Sequence, residues 1–233
     1  MQYLGKQVRH ELKYFINESE SECLRNKIKH IIRPDENADE NGNYHIRSLY
    51  FDDIYDSSLY EKNYGIFDRK KYRIRIYNFS DDVIKLEAKS KFGEYINKDS
   101  TRLSLEDYQN LMKGDCSFLA SEKGLKSEFY RRSTDSLLRP KVIVDYLREA
   151  YIYEPGNVRI TFDKNLKVVY NSNDIFNHDL AMLKVFEEPI NILEVKFDEF
   201  LPQHFRGLLS VASHNRCAIS KYLLCRVRKN NIY

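Results

Sequence analysis

The chain has 233 residues, of which 42% are hydrophobic and 31% charged, a composition typical of globular proteins and not of disordered ones. Its 38 Lys and Arg residues are offset by 35 Asp and Glu, so the net charge of +3 predicts no nucleic-acid partner. No apolar run approaches the ~20 residues of a membrane-spanning helix, and no signal peptide is visible. With four dispersed cysteines, these features predict a soluble, cytoplasmic, single-domain protein over residues 1–233.

Strands and helices alternate along the chain. Period-two alternation predicts strands over 7–16, 44–52, 69–79, 83–91, 94–103, 140–153, 157–163 and 190–198. Helical spacing and capping residues predict helices over about 18–32, 55–64, 105–113, 118–133, from Pro202 through Ala212, and over 218–227. Asn17 or Ser19 caps the first helix, and Ser104 with Asp107 forms a capping box. Short turns predict an antiparallel meander over 69–103, whereas 165–189 looks irregular.

Five of these strands have one apolar face and one face of long cations with an acid. The polar faces carry Arg9, Glu11 and Lys13; Arg73 and Arg75; Lys85, Glu87 and Lys89; Arg159 and Asp163; and Glu194 and Lys196. The ordinary explanation of such alternation is a sheet with one face in water. Because Lys and Arg recur at the same relative position, we expect instead a curled sheet with its cations inside and its apolar face under helices. Eight strands suffice for a closed barrel that holds one ligand.

Cations buried inside a barrel need a counter-charge, because each desolvated ion costs several kcal/mol. A triphosphate or polyphosphate offers closely spaced oxygens that Arg binds bidentately and Lys binds as a point charge. Glu11, Glu87 and Glu194 fit a divalent metal that bridges phosphates, since hard cations prefer carboxylate oxygen. Local salt bridges to neighbouring Lys and Arg residues explain the same acids equally well.

An ordered set of short motifs extends this interpretation. RHELKY at 9–14, SLYFDD at 48–53, YRIRIY at 72–77, KLEAKSK at 85–91, VRITFDKNL at 158–166, ILEVKF at 192–197 and ISKYLL at 219–224 follow one another along the chain. The set resembles the catalytic domain of the vacuolar transporter chaperone (VTC) type polyphosphate polymerases, which belong to the CYTH-like triphosphate tunnel metalloenzymes. The resemblance implies an α+β, β-dominated fold: a closed antiparallel eight-stranded barrel with peripheral helices.

The resemblance also implies a reaction and roles for residues. ATP would donate its γ-phosphate to a growing polyphosphate chain with the help of Mn²⁺ or Mg²⁺. Lys13, Arg73, Arg75, Lys85, Arg159 and Lys221 would clamp the reacting phosphates; Arg9, Lys89, Arg102, Lys196 and Ser220 would bind further phosphates; Glu194, with Glu87 or Glu11, would hold the metal.

One departure separates the chain from the hydrolytic tunnel enzymes, which open with two glutamates and a lysine at alternating positions. Arg9 replaces the first of these glutamates, which favours the polymerase branch. A triphosphatase and a non-catalytic module that binds polyphosphate or inositol phosphate stay open as alternatives. A membrane-protein partner also stays open.

Overall fold

The computed structural model describes residues 2–3, 5–93, 95–209 and 216–230. Its strands are β1 (Gln2–Tyr3), β2 (Lys6–Gln7), β3 (His10–Asn17), β4 (Arg33–Pro34), β5 (Asn43–Asp52), β6 (Asp68–Tyr77), β7 (Ser80–Phe92), β8 (Tyr95–Leu103), β9 (Arg139–Tyr153), β10 (Val158–Val169), β11 (Leu183–Lys184) and β12 (Ile190–Phe197). Its α-helices are α1 (Glu18–Ile28), α2 (Ser57–Asn63), α3 (Leu105–Met112), α4 (Leu125–Asp135), α5 (Gln203–Leu209) and α6 (Lys221–Asn230). Short 3₁₀ turns cover Ser117–Leu119 and Pro155–Asn157. Within the described ranges, no helix has the length and apolar character needed to cross a membrane.

One large antiparallel sheet dominates the fold. Eight strands follow one another in the order β3-β12-β10-β9-β5-β6-β7-β8, with β4 and β11 attached to β9 and β10. The meander predicted over residues 69–103 is confirmed as β6, β7 and β8, which pair in sequence order. The β-dominated α+β class is confirmed as well.

The predicted closure of the barrel is wrong. Within the described residues, the two edges of the eight-strand path meet at one isolated bridge, where Arg9 and Ile96 exchange backbone hydrogen bonds of 3.1 and 3.3 Å. Further along the β3 edge, the Cys217 N–H donates to the Lys13 carbonyl over 3.1 Å. The segment that precedes α6 therefore occupies the edge that β8 would need for a continuous ladder. The result is a curled sheet whose seam is filled partly by another part of the chain.

The apolar faces of the strands lie under helices, as the alternation predicted. On β6 and β7, Tyr72, Ile74, Leu86 and their neighbours pack with Leu111 of α3 and Phe129 of α4. On β3, β10 and β12, a second cluster packs against α1 and α5 through Leu24, Ile28, Phe205 and Leu209. Because side chains alternate across a strand, the odd-numbered cations of β6 and β7 are left on the opposite, concave face.

Helix α6 covers part of that concave face. Ile219, Tyr222 and Cys225 pack with Val144 and Tyr146 of β9 in a third apolar cluster. The Tyr222 hydroxyl donates to Asp52 at the end of β5 over 2.6 Å, which anchors the helix to the sheet. The inside of the curled sheet is thus apolar under Tyr222 and Cys225 and charged near the first residue of α6, Lys221.

Several boundaries differ from the sequence prediction. α1 ends at Ile28 and α4 begins at Leu125, both shorter than expected, while β10 continues to Val169 into the stretch predicted as irregular. Asn17, and not Ser19, caps α1: its side-chain oxygen accepts from the Glu20 N–H, and the Glu20 carboxylate accepts from the Asn17 N–H. The predicted extension of α5 to Ala212, and the start of a strand at residue 94, fall outside the described residues.

Candidate functional site

A cationic cavity of about 160 Å³ lies on the concave face of the sheet. Its walls come from β3, β5, β6, β7, β8, β9 and β12 and from residues 217–221. Ten of the lining residues are Lys or Arg and two are carboxylates, Glu11 and Glu194. The cations are Lys13, Arg69, Lys71, Arg73, Arg75, Lys89, Lys91, Arg148, Lys196 and Lys221. A wall of this composition attracts an anion with several charges.

The pairing of β6 with β7 concentrates positive charge on one stretch of wall. Three cross-strand pairs on the concave face join two cations: Arg69 with Lys91, Lys71 with Lys89, and Arg75 with Lys85. Like charges directly opposite each other destabilise a sheet. Their repetition makes this stretch of wall strongly positive, which favours an anionic ligand there.

Arg73 and Arg75 point into the cavity but are held by different partners. The Arg73 guanidinium donates from Nε to Glu87 over 2.7 Å. Arg75 donates to two neutral hydroxyls at 3.0 and 3.1 Å, those of Ser48 and Tyr146, and lies 4.0 Å from Glu87. Burial alone would raise the pKa of Glu87, but the two guanidinium groups outweigh it and hold that pKa well below its usual range.

A second charged group lies where β3 pairs with β12. Glu11 faces Lys196 and Lys13 faces Glu194 in the register of the two strands. Glu11 accepts from Lys89 over 2.7 and 2.9 Å, whereas the nearest cation to Glu194 in this group, Lys196, is 3.4 Å away. Burial lowers the pKa of both Lys13 and Lys196 to about 8, although Glu11 partly opposes the shift. Both ammonium groups lie 3.4 to 3.9 Å from Glu11 and Glu194, and a bound anion would further stabilise their charged forms.

On the β9 side of the cavity, the positions of the charges depend on Arg148 and Asp163, neither of which was predicted as a site residue. Arg148 of β9 binds Asp163 of β10 through two hydrogen bonds of 2.6 and 2.8 Å. Lys221 forms an ion pair with the same carboxylate and lies 4.9 Å from the centre of the Tyr146 ring. The cations hold the pKa of Asp163 well below its usual range, although burial opposes the shift. Asp163 thereby fixes two cations at the cavity wall.

Nine of the fourteen predicted site residues line the cavity: Glu11, Lys13, Arg73, Arg75, Lys89, Glu194, Lys196, Ser220 and Lys221. The other five do not: Arg9, Lys85, Glu87, Arg102 and Arg159. Glu87 is buried behind Arg73, and Arg9 and Arg102 are exposed. Arg159 instead donates to Asp35 over 2.5 Å, which holds it away from the cavity wall.

Asp163 was predicted on the inward polar face but given no role, and Arg148 was not predicted in the site at all. The wall residues Tyr50, Arg69, Lys71, Lys91 and Tyr146 were not predicted there either. The sequence contained a signal for Arg148, because it shares one face of the 140–153 strand with Val144 and Tyr146. Lys71 and Lys91 continue the alternation of Arg73 and Lys89 by one step and could have been found in the same way.

The two cavity carboxylates, Glu11 and Glu194, could hold a divalent metal only if phosphate oxygens supplied further ligands. In the described part of the chain, no three His, Cys, Asp or Glu side chains are arranged to hold a metal ion. Glu194 is the best single ligand, because its side chain is 4% exposed and its cationic neighbours stay 3.4 to 3.8 Å away. Mg²⁺ and similar ions commonly use one or two carboxylates plus substrate phosphates. Glu194, with Glu11 on the same wall, satisfies that pattern.

The fold is similar to those of solved proteins with low sequence identity. A candidate adenylate cyclase from Bacillus halodurans has a TM-score of 0.53 and 15% identity, and the similarity covers 93% of this chain and 96% of that one. The PH1819 protein from Pyrococcus horikoshii OT3 has a TM-score of 0.49 and 14% identity, over 95% and 99% of the two chains. At such identities the likeness concerns the fold alone. No curated protein matches the chain.

The family profile of the VTC domain matches residues 8–227. The matched range contains all eight strands of the main sheet path and every residue of the cavity wall. It confirms the resemblance carried by the motifs between RHELKY and ISKYLL. The chain therefore belongs to the VTC domain family.

Proposed function

We propose that this protein is a metal-dependent polyphosphate polymerase that transfers the γ-phosphate of ATP to the end of a polyphosphate chain. The composition of the cavity wall carries the proposal, because ten Lys and Arg side chains meet only two carboxylates there. Membership of the VTC domain family supports polyphosphate or triphosphate chemistry. A polyanion supplies the counter-charge that so many partly desolvated cations need.

The transfer breaks the bond between the γ-phosphorus and the β–γ bridging oxygen, and forms a bond to a terminal oxygen of the acceptor chain. ADP leaves with the electron pair of the broken bond. In such reactions the protein mainly positions the phosphates and neutralises their charge. Arg73 and Arg75 provide planar donors for the transferred phosphate, while Arg148 and Lys221, oriented by Asp163, provide further positive charge in the same cavity.

Glu194, with Glu11 nearby, would hold Mn²⁺ or Mg²⁺, whose positive charge would offset part of the charge of the phosphates. Lys13 and Lys196 flank both carboxylates and keep the surroundings of that position positive. The site is thus suited to a metal that arrives with the nucleotide.

Transfer to water is less well supported than transfer to a phosphate acceptor. A triphosphatase needs a group that activates water, yet Glu11 accepts two hydrogen bonds from Lys89 and Glu87 lies behind Arg73. Arg9, where hydrolytic tunnel enzymes have an additional glutamate, is exposed and outside the cavity wall. These placements favour the polymerase.

The proposal is tested by incubating the purified protein with ATP and MnCl₂ and separating the products on a polyphosphate gel. We expect a ladder of polyphosphate chains together with ADP, and neither product from the Arg75→Ala variant. Orthophosphate release without chains would identify a triphosphatase. Tight polyphosphate binding without any turnover would identify a binding module, and either result would overturn the proposal.

A further inference from the structure

A group of exposed tyrosines around α2 has no role in the phosphate cavity. Tyr55, Tyr60 and Tyr64 are 76%, 51% and 78% exposed, and we call them the tyrosine cluster. With Ser57, Glu61 and Ile66 they line a shallow surface pocket. Three large aromatic side chains gathered on one exposed patch indicate a surface that binds a partner or a ligand.

The tyrosine cluster adjoins the cavity at β6. Ile66, in the wall of the tyrosine pocket, accepts a hydrogen bond on its carbonyl oxygen from Arg69 Nη1 over 3.3 Å. Arg69 itself lines the cavity. The Glu61 carboxylate interacts electrostatically with both Arg69 and Lys71 of the cavity wall. A molecule that spans the two pockets would therefore pass Arg69.

The two pockets have complementary chemistry. The cavity side offers guanidinium and ammonium groups, which suit phosphates. The cluster side offers the faces of Tyr60 and Tyr64, whose rings are inclined by only 23° with centroids 6.4 Å apart. Exposed tyrosine faces stack with nucleobases whatever the base, because every base has a π-face. Glu61 adds a hydrogen-bond acceptor at the same place.

The cationic row on β6 and β7 ends beside the tyrosine cluster. The Arg75–Lys85 pair lies at one end of this row and the Arg69–Lys91 pair at the other. Residues 217–221 border the row between its two ends, because Lys71 Nζ donates to Ser220 Oγ over 3.3 Å. A nucleoside that leaves the cavity at the Arg69 end would meet the tyrosine cluster.

We propose that the tyrosine cluster binds the base of the donor nucleotide by stacking while the triphosphate lies in the cavity. The inference rests on the proposed function, since it assumes that the cavity binds the phosphates of ATP. It adds a subsite for the nucleobase that distinguishes ATP from inorganic triphosphate.

The test compares the affinities of ATP and inorganic triphosphate, measured by calorimetry in EDTA buffer, where no transfer can occur. We expect Tyr60→Ala and Tyr64→Ala each to weaken ATP binding about tenfold and to leave triphosphate binding within about twofold. Tyr60→Phe keeps the stacking face and should keep the affinity for ATP. Phe200→Ala, which removes another exposed aromatic ring (57% exposed), should change neither affinity.

A readout on the unmodified protein covers the case of a variant that fails to fold. Stacking lowers the absorbance of the adenine ring, so ATP titrated into the wild-type protein should lose absorbance relative to free ATP. Unchanged adenine absorbance, or alanine variants that bind ATP like the wild type, would overturn the base subsite and point to a protein partner at the cluster. Failure of the wild-type protein to bind triphosphate would instead overturn the proposed function, and this inference with it.

Discussion

Arg73 and Arg75 are two positions apart on β6, yet their neighbours give them different energetic roles. Arg73 neutralises the buried carboxylate of Glu87, whose side chain is 1% exposed. Arg75 binds neutral hydroxyls instead. Removing one partner of a buried ion pair leaves an uncompensated charge, whereas removing Arg75 also relieves its repulsion with Arg73.

We therefore predict that Arg73→Ala lowers the free energy of unfolding by about 3 kcal/mol, and Arg75→Ala by about 1 kcal/mol or less. Both variants should lose polyphosphate synthesis. Chemical denaturation and the product gel measure the two effects separately. The double variant Arg73→Ala/Glu87→Gln should recover most of the lost stability; equal destabilisation by the two arginine substitutions would contradict this assignment.

Glu194 differs from the other buried carboxylates of the site because its cations are more distant. Glu194→Gln keeps the shape of the side chain and leaves the cavity one unit more positive. We predict that metal-free triphosphate binding is unchanged or tighter, while the Mn²⁺ concentration for half-maximal synthesis rises at least tenfold. Glu188→Gln is the matched control at an exposed glutamate. An unaltered Mn²⁺ titration would assign the metal to Glu11 instead.

At the scale of elements, the capping of α1 connects local sequence to the second apolar cluster. Asn17 and Glu20 form a reciprocal capping box, and the helix then carries Leu24 and Ile28 onto the sheet. We predict that Asn17→Ala lowers the free energy of unfolding by about 1 kcal/mol. Ser19→Ala, two residues later at an exposed position, should have almost no effect in the same denaturation experiment. A larger loss of stability from Ser19→Ala than from Asn17→Ala would show that Ser19, and not Asn17, caps α1.

At the scale of the whole molecule, the buried lysines connect stability, pH and ligand binding. Burial lowers the pKa of Lys13 and Lys196 from 10.5 to about 8 in the folded protein. Between about pH 8 and 10 the unfolded chain therefore binds more protons at these lysines than the folded one, so these groups make the free protein more stable as the pH rises.

The same loss of protons removes positive charge from the cavity, so triphosphate should bind more weakly over this window. We predict that the rise in Tm caused by triphosphate shrinks between pH 8 and 10, while these lysines contribute a rising Tm to the free protein. Thermal melting with and without triphosphate measures both. Lys113→Ala, which removes an exposed lysine, is the control and should leave the pH dependence of both quantities unchanged. A ligand-induced shift that stays constant across the window would contradict the burial of these charges.

Local sequence patterns predicted the parts of this protein that depend on near neighbours. Alternation along a strand depends only on residues two positions apart, so the inward cations Arg73, Arg75 and Lys89 and the meander that carries them could be read from the sequence. The capping box at Ser104 was equally local and is confirmed. The ordered motifs also identified the family.

Only the tertiary structure decided which charges meet and whether the sheet closes. Asp163 and Lys221 are far apart in the chain, and their ion pair depends on the docking of α6 over β9 and β10. Arg159 does not line the cavity, because its guanidinium group donates to Asp35, which is distant in the sequence. The barrel is not closed, because Cys217, which precedes α6, bonds to the edge of β3 that β8 would need. Alternation determines the face on which a side chain lies, but it contains no information about which distant segment will compete for that side chain or for a free strand edge.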